Sequence, residues 1–189
     1  SEGSEDRINE KITWSKEDIG IVVQLAEKAT SPPVPQGYAQ CLDIIFRAGF
    51  ETSHADKDGT TILMAACKHG RKDMIDYLMK KEIDFTVTDV TGMNALHYAA
   101  QCPRGNVVDY VFSHANAGAC GVVSRLIASV DSIGQTAVHI AAKLNTKIGL
   151  VVGRHGIDQA LAVRDKVAGL TPLLVACSYN SFDSIRNLV

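Results

Sequence analysis

A nine-residue phrase that opens with glycine occurs four times along this chain of 189 residues. The copies read GTTILMAAC from Gly59, GMNALHYAA from Gly92, GQTAVHIAA from Gly134 and GLTPLLVAC from Gly169. Their glycines are 33, 42 and 35 residues apart. A phrase that recurs at a period near 33 residues predicts a stack of similar units, each of which contacts only its neighbours.

Each copy carries the signals of a tight turn followed by a helix. Asp58-Gly59 suits such a turn, because aspartate bonds to its own backbone and glycine tolerates positive φ. Pro172 fits a first helical position, where its missing N–H is no loss. The third position of every phrase holds a residue that can cap a helix: Thr61, Asn94, Thr136 and Thr171.

The phrase resembles the ankyrin repeat, whose pattern is D-x-x-G-x-T-P-L-H-x-A-A. The resemblance covers about residues 38–189 and, more loosely, residues 15–47. It implies an all-α solenoid of stacked helix-turn-helix units that are joined by β-turn or hairpin loops. It also implies an interaction scaffold, which binds another protein along its concave face and turn tips.

The chain departs from that pattern at two places in the repeat. The resemblance implies that His97 and His139, which keep the histidine of the family, bond backbone groups of adjoining repeats. Other copies have Met64 and Leu174 there. Near the end of the repeat, where the family usually has asparagine, the chain has Ser53 and Thr86. We therefore expect a weaker chain of hydrogen bonds between repeats at that second place.

The pattern divides the chain into a flexible acidic amino terminus, residues 1–13, and a single ankyrin-repeat domain, residues 14–189. Within the domain we expect an incomplete last unit and a first unit that has diverged. In that first unit Ser15 caps a helix to about Lys28, and a second helix runs from about Tyr38 to Arg47. The predicted units are approximately residues 14–55, 56–88, 89–130, 131–164 and 165–189.

Three segments do not follow the regular pattern. Pro32 to Pro35 matches a bare Pro-x-x-Pro, a segment that either docks in an aromatic groove or simply stops a helix. The longest spacing leaves nine surplus residues near Ser113 to Gly121, which form a loop or a further helical turn. Gly149 and Gly153 weaken the second helix of the fourth unit by about 1 kcal/mol each. The apolar end at Val189, inside a helix, suggests a fragment of a longer protein.

Charge and composition limit the classes of function. The formal net charge of −2 and the pI near 6.3 provide no basic excess, so nucleic acid is not an expected partner. No apolar run approaches a membrane span in length, so no membrane insertion is expected. The chain has no His-Glu-x-x-His, Gly-x-Ser-x-Gly or phosphate-loop motif, and we expect neither an enzyme nor a cofactor.

The cysteines indicate a reducing, intracellular location, cytoplasmic or nuclear. Their number is odd and none forms a Cys-x-x-Cys pair, so neither a disulfide framework nor a zinc site is expected. Cys67 and Cys177 stand where other copies have alanine, which predicts small thiols in a helix interface. The complete set is Cys41, Cys67, Cys102, Cys120 and Cys177.

The repeat register predicts a partner-binding surface on the turn tips and the inner helices. Val90, Ile133 and Val167 are apolar where a turn tip normally meets water, which is typical of a binding edge. Tyr98 and Tyr179 are candidate hot-spot residues. The complete candidate set is Lys57, Asp58, Lys68, His69, Val90, Thr91, Tyr98, Gln101, Ser132, Ile133, Lys143, Val167 and Tyr179.

An intracellular protein–protein interaction scaffold is the function that these observations favour. The alternative is a regulatory or targeting domain of a larger enzyme, of the kinase or transferase class, whose catalytic part lies outside this chain. An enzyme hidden in the concave groove would need clustered titratable residues. Self-association through the uncapped end is a fourth possibility.

Overall fold

A computed structural model of the protein describes residues 13–28, 36–81, 83–103, 107–115, 126–146 and 157–189. These residues form short helices connected by turns, with a single isolated bridge between Ala55 and Thr61 in the described part. The helices are α1 (Lys16–Lys28), α2 (Gln36–Arg47), α3 (Ile62–Lys68), α4 (Lys72–Met79), α5 (Ala95–Gln101), α6 (Val107–Ala115), α7 (Ala137–Leu144), α8 (Ile157–Ala162), α9 (Pro172–Ser178) and α10 (Phe182–Leu188).

The helices stack as consecutive two-helix units. The first helices of the units pack in the order α1, α3, α5, α7, α9, and each contacts the next. The second helices pack behind them, α4 on α3, α6 on α5 and α10 on α9. Fully buried Ile62, Leu96 and Ile75 lie in a continuous apolar layer between neighbouring units. The prediction of an all-α solenoid of stacked units is confirmed.

The capping residues act as their sequence positions predict, with one exception. The side-chain oxygens of Thr61, Asn94 and Thr136 accept hydrogen bonds from backbone N–H groups in the first turns of α3, α5 and α7. Thr171 stands at the same place before α9 but makes no such side-chain bond. Three of the four helices that follow a glycine phrase therefore begin with a polar cap, a contribution of about 1 kcal/mol each.

The diverged first unit keeps the repeat architecture. Ser15 caps helix α1 as predicted, and Asp18 makes the cap reciprocal. The Asp18 backbone N–H donates to Ser15 Oγ at 3.1 Å, and Ser15 N donates to Asp18 Oδ2 at 3.1 Å. The buried face of α1 contains Ile19, Val22 and Val23, and it packs on α3. This unit therefore covers the end of the stack, although it lacks the glycine phrase.

Hydrogen bonds between side chains also join the outer helices, in a pattern that was not predicted from the sequence. The Tyr77 hydroxyl on α4 donates to Asp43 on α2, and the Tyr110 hydroxyl on α6 donates to Asp76 on α4. Burial, followed by the hydrogen bond to Asp76, raises the pKa of Tyr110 to about 12. Both donors lie 34 residues after their acceptors, so this periodic spacing was visible in the sequence.

Several of the sequence predictions fall on residues outside the described ranges. These are the Pro32–Pro35 segment, most of the surplus at 113–121, the glycines at 149 and 153, and Cys120. Residues 113–115, at the start of the surplus, continue helix α6.

Candidate functional site

The turns between units are built around one aspartate carboxylate each. Asp89 Oδ1 accepts the backbone N–H groups of Thr91 at 2.8 Å and Met93 at 2.9 Å, together with the Thr91 hydroxyl at 2.7 Å. Asp56 and Asp131 bond equivalent amides two and four residues further on. The aspartate side chain thus closes each turn upon itself and fixes the direction in which the following residues point.

Backbone hydrogen bonds connect each turn to the next. Val90 N donates to the Asp58 carbonyl at 3.1 Å, and Ser132 N donates to the Thr91 carbonyl at 2.8 Å. A third bond runs from Lys166 N to the Ile133 carbonyl at 2.9 Å. Connecting loops on a protein surface are ordinarily mobile. These turns are instead held in register by main-chain hydrogen bonds, whatever side chains they carry.

The last turn contains one residue more than the others, and this changes the predicted register. Three residues separate Asp165 from Gly169, whereas two separate Asp131 from Gly134. The backbone bond places Lys166, and not Val167, where Val90 and Ser132 stand in their turns. Alignment on the glycine missed Lys166. Alignment on the aspartate would have found it.

We call the two residues after each turn aspartate the tip positions. Val90 is 74% exposed, Val167 73% and Ile133 44%, so the apolar row predicted from the sequence is exposed to solvent. Exposed apolar side chains at consecutive, rigid positions are typical of a protein-binding edge. The tip positions are Lys57, Asp58, Val90, Thr91, Ser132, Ile133, Lys166 and Val167.

Tyr98 does not lie on the surface as the hot-spot prediction required. It is only 8% exposed, and its hydroxyl donates to Asp89 Oδ2 at 2.7 Å. Burial raises the pKa of Tyr98 to about 12, and the bond to Asp89 adds to this. Burial also opposes ionisation of Asp89, but bonds from Thr91, Tyr98 and the backbone outweigh it and lower the pKa of Asp89. Tyr98 is therefore a support for the turn, since the aspartate needs a donor at its second oxygen.

A second set of candidates forms one column on the inner helices, nine residues after each phrase glycine. Lys68 Nζ lies 5.9 Å from the centre of the Tyr98 ring, and Lys143 Nζ lies 5.4 Å from that of Tyr179. Tyr179 is 56% exposed, as its predicted role requires. This inner column consists of Lys68, Gln101, Lys143 and Ser178.

An open groove of about 880 Å³ joins the two sets at the amino-terminal end of the stack. It lies between α1 and the first two turns, and Ile21 and Val90 contribute exposed apolar side chains to it. Because Lys57 and Lys68 both line this groove, the tip positions and the inner column lie on one side of the protein. We call that side the contact face. Gln101, in the inner column, and His69, which follows Lys68 in the chain, are half-buried.

The two repeat histidines have structural roles, as the family resemblance implied. His97 and His139 are both fully buried. His97 Nε2 lies 3.1 Å from the Gln135 carbonyl, and His139 Nε2 lies 3.1 Å from the Leu170 carbonyl. Each Nδ1 lies 3.2 Å from the backbone nitrogen of the capping residue of its own helix. Each imidazole thus connects its own helix cap to the turn of the following unit.

This arrangement predicts loss of stability in mild acid. Burial is the largest influence on both rings and lowers the pKa values of His97 and His139 below their ordinary value of 6.5. The unfolded chain then binds more protons, so stability is complete above pH 6.5 and falls as the pH drops through the lowered folded-state values. We expect a slope of at most about 1.4 kcal/mol per pH unit for each histidine, measured by urea unfolding between pH 7.5 and 5.

The matched variant for this test is His97→Gln/His139→Gln, which cannot titrate in that range. Its free energy of unfolding starts lower, but its dependence on pH above 5 is expected to be shallower than that of the wild type. Parallel curves for the two proteins would contradict the assignment of the acid sensitivity to these rings.

The described residues contain no cluster of histidine, cysteine and acidic side chains that could hold a metal ion. Within the same ranges the cysteines are free thiols, buried at Cys67 and Cys102 and exposed at Cys41 and Cys177. Burial raises the pKa of the Cys67 thiol and makes it a poor nucleophile. No helix in the described part of the chain is long and apolar enough to cross a bilayer.

The stacked two-helix units and their bonded turns define a repeat solenoid. Residues 34–123 match the family described as ankyrin repeats, in three copies, and the chain is an ankyrin-repeat protein. The turns at Asp131 and Asp165 continue the same geometry beyond the matched residues. Ankyrin repeats are protein-interaction modules.

A curated relative is the probable E3 ubiquitin-protein ligase XBOS32 of Oryza sativa subsp. japonica. It is 32% identical to this chain over 87 residues. The alignment covers 43% of this chain and 18% of the length of that relative.

Proposed function

We propose that this chain binds a partner protein through its contact face, with the tip positions supplying most of the affinity. The exposure of Val90, Ile133 and Val167 carries this proposal. The backbones of Val90 and Ile133 are held by hydrogen bonds between successive turns, and Val167 follows Lys166, which makes one of these bonds. Binding therefore orders little of the main chain. The free thiols of the described residues support an intracellular site of action.

Removal of two tip side chains tests this proposal. We expect Val90→Ser/Ile133→Ser to bind the partner about thirtyfold more weakly, because two apolar hot-spot contacts of more than 1 kcal/mol each are lost. The partner is first captured from lysate with the wild-type chain and purified, and dissociation constants are then measured by calorimetry. Serine is chosen because it adds no charge.

Ile44→Ser provides the control, since Ile44 is 65% exposed on helix α2, away from the contact face. It should bind the partner as the wild type does. Equal dissociation constants for the wild type and the tip variant would remove the proposal. Tyr98→Ala is unsuitable for this purpose, because Tyr98 is buried and its loss would disturb the Asp89 turn.

The similarity to a probable ubiquitin ligase favours a second candidate function, in which these repeats select the substrate of a larger transferase. The chain corresponds to a small part of that relative, so a catalytic segment would lie elsewhere in the whole protein. The complete transcript tests this candidate. A segment with paired zinc-binding cysteines and histidines beyond the repeats would support it, and further repeats alone would contradict it.

A further inference from the structure

We infer that the partner presents an acidic peptide segment with interspersed apolar side chains to the contact face. This inference rests on the proposed function and adds the chemistry of the ligand. The tip positions and the inner column together contain four lysines, Lys57, Lys68, Lys143 and Lys166, and one carboxylate, Asp58. The groove beside them adds Lys16, Glu17 and the half-buried Asp56. The tip positions and the inner column therefore carry an excess of positive charge, although the whole chain has a formal net charge of −2.

Three of the four turn aspartates do not present their carboxylates to the surface, whereas Asp56 is half-buried in the groove. Asp89, Asp131 and Asp165 are buried, and each directs Oδ1 at two backbone amides of its own turn. Their carboxylates accept hydrogen bonds from donors within the turn. The backbone N–H of Ala168 is the main cause of the lowered pKa of Asp165. An incoming ligand meets the lysine side chains and does not meet these carboxylates.

Three of the lysines are held in place before any partner binds. The ammonium groups of Lys68 and Lys143 lie over the rings of Tyr98 and Tyr179. At a tip position, Lys166 Nζ lies 3.5 Å from the Ser132 carbonyl. Side chains that are restrained in this way lose less conformational entropy when they meet a carboxylate.

The apolar side chains beside the lysines favour a peptide over nucleic acid. Val90, Val167 and Tyr179 are exposed between the charged positions, and they would remain unburied against a phosphate backbone. A peptide that alternates acidic and apolar residues satisfies both the lysines and the apolar row.

The size of the face sets the length of the segment. Helices α3, α5, α7 and α9 span three packing intervals of roughly 8–10 Å, or about 24–30 Å in all. An extended peptide covers that distance with about 9 residues and a helical one with about 20 residues. A library of sixteen-residue peptides therefore reaches most of the column in either conformation.

The test is a selection of a random sixteen-residue peptide library, displayed on phage, against the purified 189-residue chain in 50 mM salt. We expect the enriched peptides to carry an excess of Asp and Glu over the unselected library, together with apolar residues. The most enriched peptide is then synthesised, and its affinity for each variant is measured by fluorescence anisotropy. Fluorescent oligothymidine of sixteen nucleotides is measured in parallel.

Lys68→Glu/Lys143→Glu should weaken peptide binding roughly thirtyfold in 50 mM salt and only about threefold in 500 mM salt, because exposed charges are screened. The matched control is Lys72→Glu/Lys80→Glu. It reverses two lysines of the α4 segment, one of which also lies over a tyrosine, Lys72 at 5.1 Å from the Tyr110 ring centre. This control should stay within about twofold of the wild type.

The outcomes separate this inference from the proposal on which it rests. Selected peptides that bind Val90→Ser/Ile133→Ser as tightly as the wild type would contradict the contact face itself. Peptides that depend on Val90 and Ile133, yet carry no acidic excess and are insensitive to Lys68→Glu/Lys143→Glu, would overturn the acidic ligand alone. The absence of enrichment, or tighter binding of oligothymidine through the same lysines, would also overturn it.

Discussion

Gly134→Ala is expected to lower the free energy of unfolding by about 3–4 kcal/mol. Gly134 has φ of 82°, a conformation that strains any other residue. A Cβ added there would also lie 2.8 Å from the backbone nitrogen of Lys166 and 2.7 Å from its Cγ. The same nitrogen donates to the Ile133 carbonyl, so alanine would push apart the two turns that this bond connects.

Gly169→Ala separates the cost of the positive φ from the cost of the steric contact between turns. Gly169 has φ of 67°, but no atom lies within 4 Å of the position that its Cβ would take. Only the conformational cost should appear, about 1–2 kcal/mol. Urea unfolding followed by circular dichroism measures both variants. If Gly134→Ala and Gly169→Ala lost the same free energy of unfolding, the steric contact between turns would contribute nothing.

His97→Ala is expected to cost about 3 kcal/mol, the second large effect. The substitution leaves a cavity at a fully buried position between two units. It also removes the ring acceptor for the Asn94 amide and the partner of the Gln135 carbonyl. Both backbone groups would then be buried without these bonds, and each would carry a desolvation penalty.

Leu174→Ala is the matched control, because Leu174 occupies the same place in the last phrase and is 45% exposed. Removing its side chain should cost about 1 kcal/mol, since much of that surface already contacts water. The difference between the two variants measures what burial and bridging add at one repeat position. If His97→Ala lost no more than Leu174→Ala, the histidine bridge would be energetically unimportant.

Much of the fold could be predicted from the sequence, because local signals and long-range packing agree in every phrase. Thr61, Asn94 and Thr136 are capping residues, and the structure uses them as caps. The histidine bridges followed from the family pattern and were confirmed. Thr171 shows the limit of such signals: the residue type suits a cap, but no hydrogen bond to its side chain forms.

The candidate site was less predictable, since exposure depends on which neighbour covers a side chain. The repeat position of Tyr98 predicted an exposed contact residue, but its hydroxyl donates to Asp89 within the turn and the side chain is buried. Lys166 was missed because the register was taken from glycine, whereas the aspartate carboxylate organises the turn. The hydrogen bond between Tyr77 and Asp43 could be identified only from the structure, although the two residues are 34 positions apart, close to one repeat period.

The main-chain bonds between successive turns have a consequence for how this surface can change. At the first tip position the four turns carry Lys57, Val90, Ser132 and Lys166, which include a charged, an apolar and a small polar side chain. In the last three of these the residue contributes its backbone N–H to the stack, and that group is the same for every amino acid except proline. Mutations at the first tip position can therefore alter what the protein recognises while its stability stays nearly constant. The side chains at the tips can change during evolution while the hydrogen-bonded backbone that carries them is conserved.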